Sequence, residues 1–208
     1  MKEIVPGIYT WSRFSAKHGY NFNGYAFKSD DGLVVIDPAT MKSSDLEQLQ
    51  QLGTPAHILL TNKDHERMAY ELRDRFGAKI YIHEKDASLI KSSPDHTFQD
   101  GEILPGNLKT INIPDNKSPG ETALLLSKRE GVLFIGDALI GWPKGEVSFL
   151  PSIIYKDPKK AKEAIKILLD YDYGPILVGD GEPVLKGGKD AIKRFLARED
   201  VFLTLPVQ

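Results

Sequence analysis

A short apolar segment that runs into a polar hexapeptide and then a helix constrains the fold of this chain more than any other feature. Residues 56–61 read Ala-His-Ile-Leu-Leu-Thr and predict a buried strand. The hexapeptide 62–67 reads Asn-Lys-Asp-His-Glu-Arg. Residues 68–76 then predict a helix that ends at Gly77. Six polar residues therefore lie between a buried strand and a helix.

The other predicted elements put strands first and then alternate strands with helices. Strands are predicted at residues 4–11, 23–28, 33–36, 79–83, 109–113, 122–127, 132–135 and 175–178. Helices are predicted at residues 43–52, 84–90, 157–169 and 189–198. Ser44 and Glu47 fit a capping box for the first of these helices, and residues 129–131 predict a turn. Two packed sheets with helices on their outer faces accommodate this order, and a doubly wound α/β sheet competes with it.

Two of the later strands end in glycine–aspartate turns. Residues 132–135 lead into Gly136-Asp137, and residues 175–178 lead into Gly179-Asp180-Gly181. Together with the hexapeptide, this arrangement resembles the metallo-β-lactamase superfamily over roughly residues 4–198. The resemblance implies an α/β protein, namely a four-layer αββα sandwich of two mixed β-sheets flanked by helices. We expect one such domain over residues 1–208.

In that family two zinc ions are held on loops at one edge of the sandwich, with a hexapeptide that reads His-x-His-x-Asp-His. Imidazoles and carboxylates suit zinc, and a shared water becomes hydroxide near neutral pH. When this chain is aligned with the family's pattern, the metal-ligand positions are occupied by Asn62, Asp64, Glu66, Arg67, Lys117, Asp137 and Asp180. Only Asp137 is a strict match, and Val35-Ile36-Asp37 resembles the family's aspartate at a strand end. The resemblance therefore implies that five histidine positions are vacant.

The replacements suggest ion pairing in place of metal coordination. Lys117 falls at the first zinc and Arg67 at the second, and a cation at a ligand position repels a metal ion. The expected partners are Asp64 or Asp137 for Lys117, and Glu66, Asp137 or Asp180 for Arg67. Two side-chain cations would then lie where two zinc ions lie in the family.

The charges expected in this cleft do not balance. Four acids face two cations, which leaves a charge of about −2, and nearby like charges raise one another's pKa. Solvent, shared protons or one divalent cation could offset it. No cofactor or metal is expected; if an ion binds, Asp64, Glu66, Asp137 and Asp180 suit magnesium, manganese or calcium better than zinc.

His65 is a tentative catalytic residue together with Asp137. A lone histidine can act as an acid or base near neutral pH. A histidine at a helix start is, however, more typical of a surface or capping residue. The sequence therefore gives His65 two competing interpretations.

Composition excludes several classes of function. The chain has no cysteine, which removes disulfides, thiolate metal sites and cysteine nucleophiles. Its 27 basic and 29 acidic residues give a net charge of −2, so nucleic acid is not an evident partner. No apolar run is long enough to span a membrane, and we expect a soluble, cytoplasmic protein.

The sequence favours a ligand- or partner-binding protein that uses the former active-site cleft and is not a zinc hydrolase. The alternative is a metal-dependent hydrolase of an ester or phosphodiester with an altered, oxygen-ligated site. A third interpretation is a structural role in which the cleft is irrelevant. The residues leave open whether the chain is an enzyme, which small molecule or protein it binds, and its oligomeric state.

Overall fold

The computed structural model describes residues 1–127 and 130–203, and in them the strands form two mixed sheets. The first sheet contains β1 (Lys2–Val5), β2 (Ile8–Ser15), β3 (Tyr20–Ser29), β4 (Gly32–Ile36), β5 (Pro55–Leu59), β6 (Lys79–His83) and β7 (His96–Phe98), in that order. Strands β1 to β4 pair antiparallel, whereas β4 to β7 pair parallel.

The second sheet has five strands in the order β12-β11-β10-β9-β8. They are β8 (Ile103–Leu104), β9 (Leu108–Asn112), β10 (Thr122–Leu126), β11 (Val132–Ile135) and β12 (Ile176–Val178). Strand β12 pairs parallel with β11, and the other pairs are antiparallel. The carboxyl ends of β11 and β12 therefore lie together at one edge.

The described residues form four α-helices: α1 (Ser43–Leu52), α2 (Ala69–Phe76), α3 (Pro158–Ala164) and α4 (Gly188–Ala197). Short 3-10 helices occur at Lys63–His65, Glu84–Asp86, Ser152–Ile154 and Ile165–Asp170. The helix α3 begins where the Asp157 carboxylate accepts hydrogen bonds from the backbone N–H groups of Lys159 and Lys160, and Pro158 suits the first turn.

None of the helices in the described part of the chain combines the length and the apolarity that a membrane-spanning helix requires.

Three separate apolar clusters show that the elements are stacked in four layers. Along β4 the side chains alternate: Val34 packs between the two sheets, and Val35 packs under α1 and α2. On the other side, Ile135 of β11 packs with residues of α3 and α4. The arrangement is an αββα sandwich of two mixed sheets, which confirms the fold expected from the sequence.

Several local predictions were wrong. The predicted strand 4–11 is two strands, because Gly7 adopts a φ of +82° and turns the chain between them. The predicted helix 84–90 is one 3-10 turn, and the predicted helix 157–169 changes from α to 3-10 geometry at Ile165. The capping box does not use Ser44 and Glu47; instead, the Asp45 carboxylate accepts a hydrogen bond from Lys42 N at 3.2 Å. In the predicted turn 129–131, Arg129 lies outside the described residues.

Candidate functional site: a cluster of ion pairs

The loops that follow parallel strands bring distant charged residues together at one edge of the sandwich. Asp37 follows β4, the hexapeptide follows β5, Asp137 follows β11 and Asp180 follows β12, while Lys117 lies between β9 and β10. The carboxyl ends of parallel strands share an edge, which is where α/β proteins commonly place ligands. The hexapeptide itself forms the 3-10 turn Lys63–His65, with Asn62 as its N-cap.

Three buried carboxylates each have a cation as their closest charged partner. The closest contacts are 2.8 Å from Asp37 Oδ2 to His65 Nδ1, 2.6 Å from Asp137 Oδ2 to Lys117 Nζ, and 2.5 Å from Asp180 Oδ1 to the Arg67 guanidinium. None of the three acids is more than 4% exposed. Buried acids of this kind are stable in ionised form only when a cation or hydrogen bonds compensate for lost hydration.

His65 is buried at the centre of the cluster. Its Nδ1 donates to Asp37 Oδ2, and its Nε2 lies 3.5 Å from Asp137 Oδ1. Burial and nearby Arg67 lower the pKa of His65, but the carboxylates of Asp37 and Asp137 outweigh them and raise that pKa to about 10. The ring is therefore protonated at neutral pH. The interpretation of His65 as a surface or capping residue is wrong, because the 3-10 turn points the ring inward.

Lys117 bridges a buried and an exposed carboxylate. Its Nζ donates to Asp137 Oδ2 at 2.6 Å and lies 3.1 Å from Asp64 Oδ2. Burial raises the pKa of Asp137, but the charges of His65 and Lys117 outweigh it and hold that pKa well below the usual range. The predicted pairing of Lys117 is confirmed with both candidate partners.

Arg67 packs against the cluster on the side of Asp180. Its guanidinium donates to Asp180 and lies 4.4 Å from the centre of the Phe22 ring. Burial raises the pKa of Asp180 despite Arg67. The Arg67 backbone has a φ of +27° and that of Asp37 a φ of +46°, conformations that cost roughly 1–3 kcal/mol each for non-glycine residues. Strain at both positions is tolerated where side chains are tightly held.

Glu66 and Asn62 occupy different environments from those of the ion pairs. The Glu66 carboxylate accepts hydrogen bonds from the Tyr70 hydroxyl at 2.7 Å and Lys91 N at 2.9 Å, and it lies 3.2 Å from Lys91 Nζ. Glu66 is therefore not a partner of Arg67. Asn62 is buried, and its Nδ2 donates to Glu121 Oε1 at 3.2 Å.

Glu121 is a buried acid that the sequence analysis missed. Its Oε1 accepts hydrogen bonds from Asn62 Nδ2 and, at 3.1 Å, from Ala138 N. Burial and the charge of Asp137 raise the pKa of Glu121 well above its usual value, which favours the neutral form. It lies between Gly120 and β10, directly after the stretch of Lys117 that the resemblance matched, and the resemblance assigned it no role.

The structure balances the charge that the sequence analysis left at −2. The cluster contains the acids Asp37, Asp64, Asp137 and Asp180 and the cations Lys63, His65, Arg67 and Lys117. Glu66 pairs elsewhere with Lys91. The four negative and four positive charges cancel, because the cluster contains two cations, Lys63 and His65, that the sequence analysis did not count.

Asp86 holds the loops that carry this cluster. It is fully buried, and its carboxylate accepts hydrogen bonds from Lys63 N at 2.9 Å, Ser118 Oγ at 2.5 Å and Gly120 N at 2.9 Å. One carboxylate thereby fixes the hexapeptide and the loop of Lys117 to each other.

The same edge contains a group that could hold a metal ion. His65, Asp137 and Asp180 each offer one ligand atom, and these atoms lie within 4.8 Å of one another. Lys117 and Arg67 already contact two of the three. Five cavities of 310 to 540 Å³ are lined by other described residues, so the cluster does not surround any of these five spaces.

Comparisons with known proteins agree with this architecture. The BLEG-1 B3 metallo-β-lactamase is 20% identical, with a TM-score of 0.71 over 91% of this chain and 100% of that one. The metallo-β-lactamase family protein TTHA1429 from Thermus thermophilus is 18% identical, with a TM-score of 0.68 over 93% of this chain and 79% of that one. TTHA1623, solved in a di-iron-bound form, is 22% identical, with a TM-score of 0.67 over 88% of this chain and 97% of that one. These likenesses show the fold.

A comparison with curated proteins gave no match. Over residues 1–198 the sequence matches the family model described as the metallo-β-lactamase superfamily. This match spans both sheets and every loop of the ion-pair cluster, and the chain belongs to the metallo-β-lactamase superfamily.

Proposed function

We propose that this chain does not hold the two zinc ions of its family and that it binds a ligand or partner through the loops around the ion-pair cluster. The observation that carries the proposal is the position of the two side-chain cations. Lys117 lies 2.6 Å from the carboxylate of Asp137, and Arg67 lies against that of Asp180. A cation at these distances competes directly with a metal ion for the same oxygens.

The donor chemistry of the cluster does not suit a dinuclear zinc site. Zinc sites in proteins draw mainly on imidazole nitrogens and thiolates, with carboxylates in support. His65 is the single imidazole in the described cluster, and its Nδ1 is committed to Asp37. Lys117 and Arg67 would both have to leave their carboxylates before two ions could be coordinated.

Charge balance supports the same conclusion. The cluster is neutral with its own four cations, and a divalent ion added to it would leave an uncompensated charge of +2 in a largely buried place. Uncompensated buried charge is costly. Metal binding would therefore have to displace side-chain cations, at the expense of the ion pairs that hold the site together.

Metal content tests the proposal. Protein purified without chelator, and again after incubation with zinc, manganese and magnesium followed by dialysis, is expected to retain far less than one ion per chain. A zinc-binding member of the superfamily, carried through the same procedure, controls for loss during dialysis. Retention of about one ion per chain, lost in Asp137→Ala, would contradict the proposal.

Thermal denaturation tests ligand binding separately. A ligand that binds only the folded protein raises the melting temperature, and the rise grows with ligand concentration. We expect such a shift from one member of a panel of small molecules. Turnover of ester or phosphodiester substrates is expected to be absent.

A second candidate function is a hydrolase with a single metal ion. The group of His65, Asp137 and Asp180 favours it, because their ligand atoms already lie within 4.8 Å of one another. This set differs from the all-oxygen set predicted from sequence, since Glu66 contacts Lys91. The candidate requires one retained ion per chain and turnover that Asp137→Ala abolishes.

A further inference from the structure

Only part of the ion-pair cluster can be reached by a ligand. Lys63, Lys117 and Asp64 have side-chain exposures of 27%, 28% and 36%. The other five charged side chains of the cluster are at most 13% exposed. A ligand that enters from solvent therefore meets these three side chains first.

These three accessible side chains contact one another. The Lys63 ammonium lies 2.9 Å from Oδ1 and 3.0 Å from Oδ2 of Asp64, and the Lys117 ammonium lies 3.1 Å from Oδ2. The Asp64 carboxylate is thus held between two ammonium groups, as a bound oxyanion would be. It is the most exposed member, and exposed ion pairs contribute little to stability.

We propose that Lys63 and Lys117 form a subsite for an oxyanion, a carboxylate or phosphate group, and that the Asp64 carboxylate occupies this subsite until a ligand replaces it. This inference rests on the proposed ligand-binding function and names the chemical class of the ligand. Exchange requires only that the Asp64 side chain turns toward solvent. Its backbone N–H stays bonded to Asn62 Oδ1 at 2.9 Å.

The balance of charge selects an anion over a cation. With Asp64 turned away, the Lys117 ammonium keeps Asp137 as a partner, the Lys63 ammonium has no other ion-pair partner among the described residues, and the subsite carries an excess of one positive charge. The pair between Lys117 and Asp137 keeps the Lys117 ammonium in place during the exchange. A cationic ligand would contact Asp64 alone and would be repelled by both lysines.

Titration calorimetry with inorganic phosphate and with acetate, at one fixed ionic strength, tests the inference. Asp64→Asn preserves the shape of the side chain and removes the competing charge, so we expect it to bind at least one of the two anions about fivefold more tightly than the unchanged protein. Adding Lys63→Gln to Asp64→Asn should abolish that gain. Lys166→Gln, which removes an exposed lysine paired with Glu163 on another helix, should leave affinity unchanged.

Each outcome has a defined meaning. A gain for phosphate alone indicates a phosphoryl ligand, and a gain for acetate alone or for both indicates that a carboxylate suffices. Equal affinity with and without Asp64→Asn, or a gain that survives Lys63→Gln, overturns the inference. If Asp64→Asn fails to fold, the single variant Lys63→Gln is measured instead. A loss of anion affinity in that variant supports the inference, and unchanged affinity overturns it.

The same samples separate this inference from the proposed function. Metal-free protein whose anion affinity does not respond to Asp64→Asn would contradict only the oxyanion subsite. Protein that retains one metal ion per chain would contradict the proposed function, and anion binding lost with that ion would contradict the subsite as well.

Discussion

The Lys117 ammonium lies 2.6 Å from Oδ2 of Asp137, at the edge where His65, Asp137 and Asp180 converge. Replacing this lysine by methionine removes one positive charge and frees a carboxylate oxygen. We expect Lys117→Met to retain several times more manganese or zinc than the unchanged protein, measured by elemental analysis after dialysis. Lys166→Met is the matched control, and equal retention in all three proteins would show that Lys117 does not exclude metal.

Arg67 is expected to contribute strongly to stability. Its side chain is 13% exposed, and its loss removes the contact with Phe22 and the ion-pair partner that Asp180 has among the described residues. Breaking a buried pair from one side costs about 3 kcal/mol, so Arg67→Ala should lower the free energy of unfolding by about that amount. Urea denaturation measures it. Adding Asp180→Asn should restore part of the loss, and purely additive effects would contradict a coupled pair.

Glu121 provides a test of protonation in the buried site. Burial and Asp137 raise the pKa of Glu121, which favours its neutral form, and Glu121→Gln preserves the shape of that form and the hydrogen bonds from Asn62 and Ala138. We expect it to change the free energy of unfolding at pH 7 by less than about 1 kcal/mol, whereas Glu121→Ala should cost roughly 2–3 kcal/mol by leaving buried donors unpaired. A large loss in Glu121→Gln would mean that the carboxylate is ionised.

The raised pKa of His65 predicts how stability varies with pH. Its pKa rises from 6.5 in the unfolded chain to about 10 in the folded protein, so the folded state binds the proton more tightly. The resulting stabilisation is complete below pH 6.5 and is lost as the pH rises through about 10. At about 1.4 kcal/mol per pKa unit, we expect the free energy of unfolding to fall by on the order of 5 kcal/mol over this range.

The control for this prediction is His65→Gln, which removes the titrating ring. Glu121 also has a raised pKa and lowers stability as the pH rises; because the charge of His65 lowers the pKa of Glu121, both proteins in this comparison carry Glu121→Gln. Urea denaturation between pH 6 and 9.5 should therefore give a flatter profile for His65→Gln. Parallel profiles would show that His65 does not hold an extra proton in the folded state.

The elements could be predicted because their signals are local, whereas the αββα arrangement was implied by the resemblance to the metallo-β-lactamase superfamily. The apolar run of β4 and the glycine–aspartate turns after β11 and β12 are visible in short stretches of sequence. The edge strand β7 was missed because its three residues are too few to show a period. Its position depends instead on contacts such as the stacking of His96 on Tyr81.

The site was predicted only in part, for a related reason. The charge types at Lys117 and Arg67 indicated ion pairs, and the structure confirms both, with Asp180 as the partner of Arg67. The direction in which a side chain leaves a 3-10 turn is not visible in sequence. The side chains of two adjacent residues therefore point in different directions: His65 points inward to Asp37 and Asp137, whereas Glu66 points toward Lys91.

The bonds of Asp86 have a consequence for how such a site can evolve. This carboxylate ties the hexapeptide to the loop of Lys117 through Lys63 N, Ser118 Oγ and Gly120 N, and none of these groups belongs to the charged side chains that face the cleft. The backbone of these two loops is therefore held by bonds that do not depend on what occupies the site. Side chains at the ligand positions can be substituted one at a time while these loops keep their shape. The chemistry of the site can therefore change stepwise during evolution.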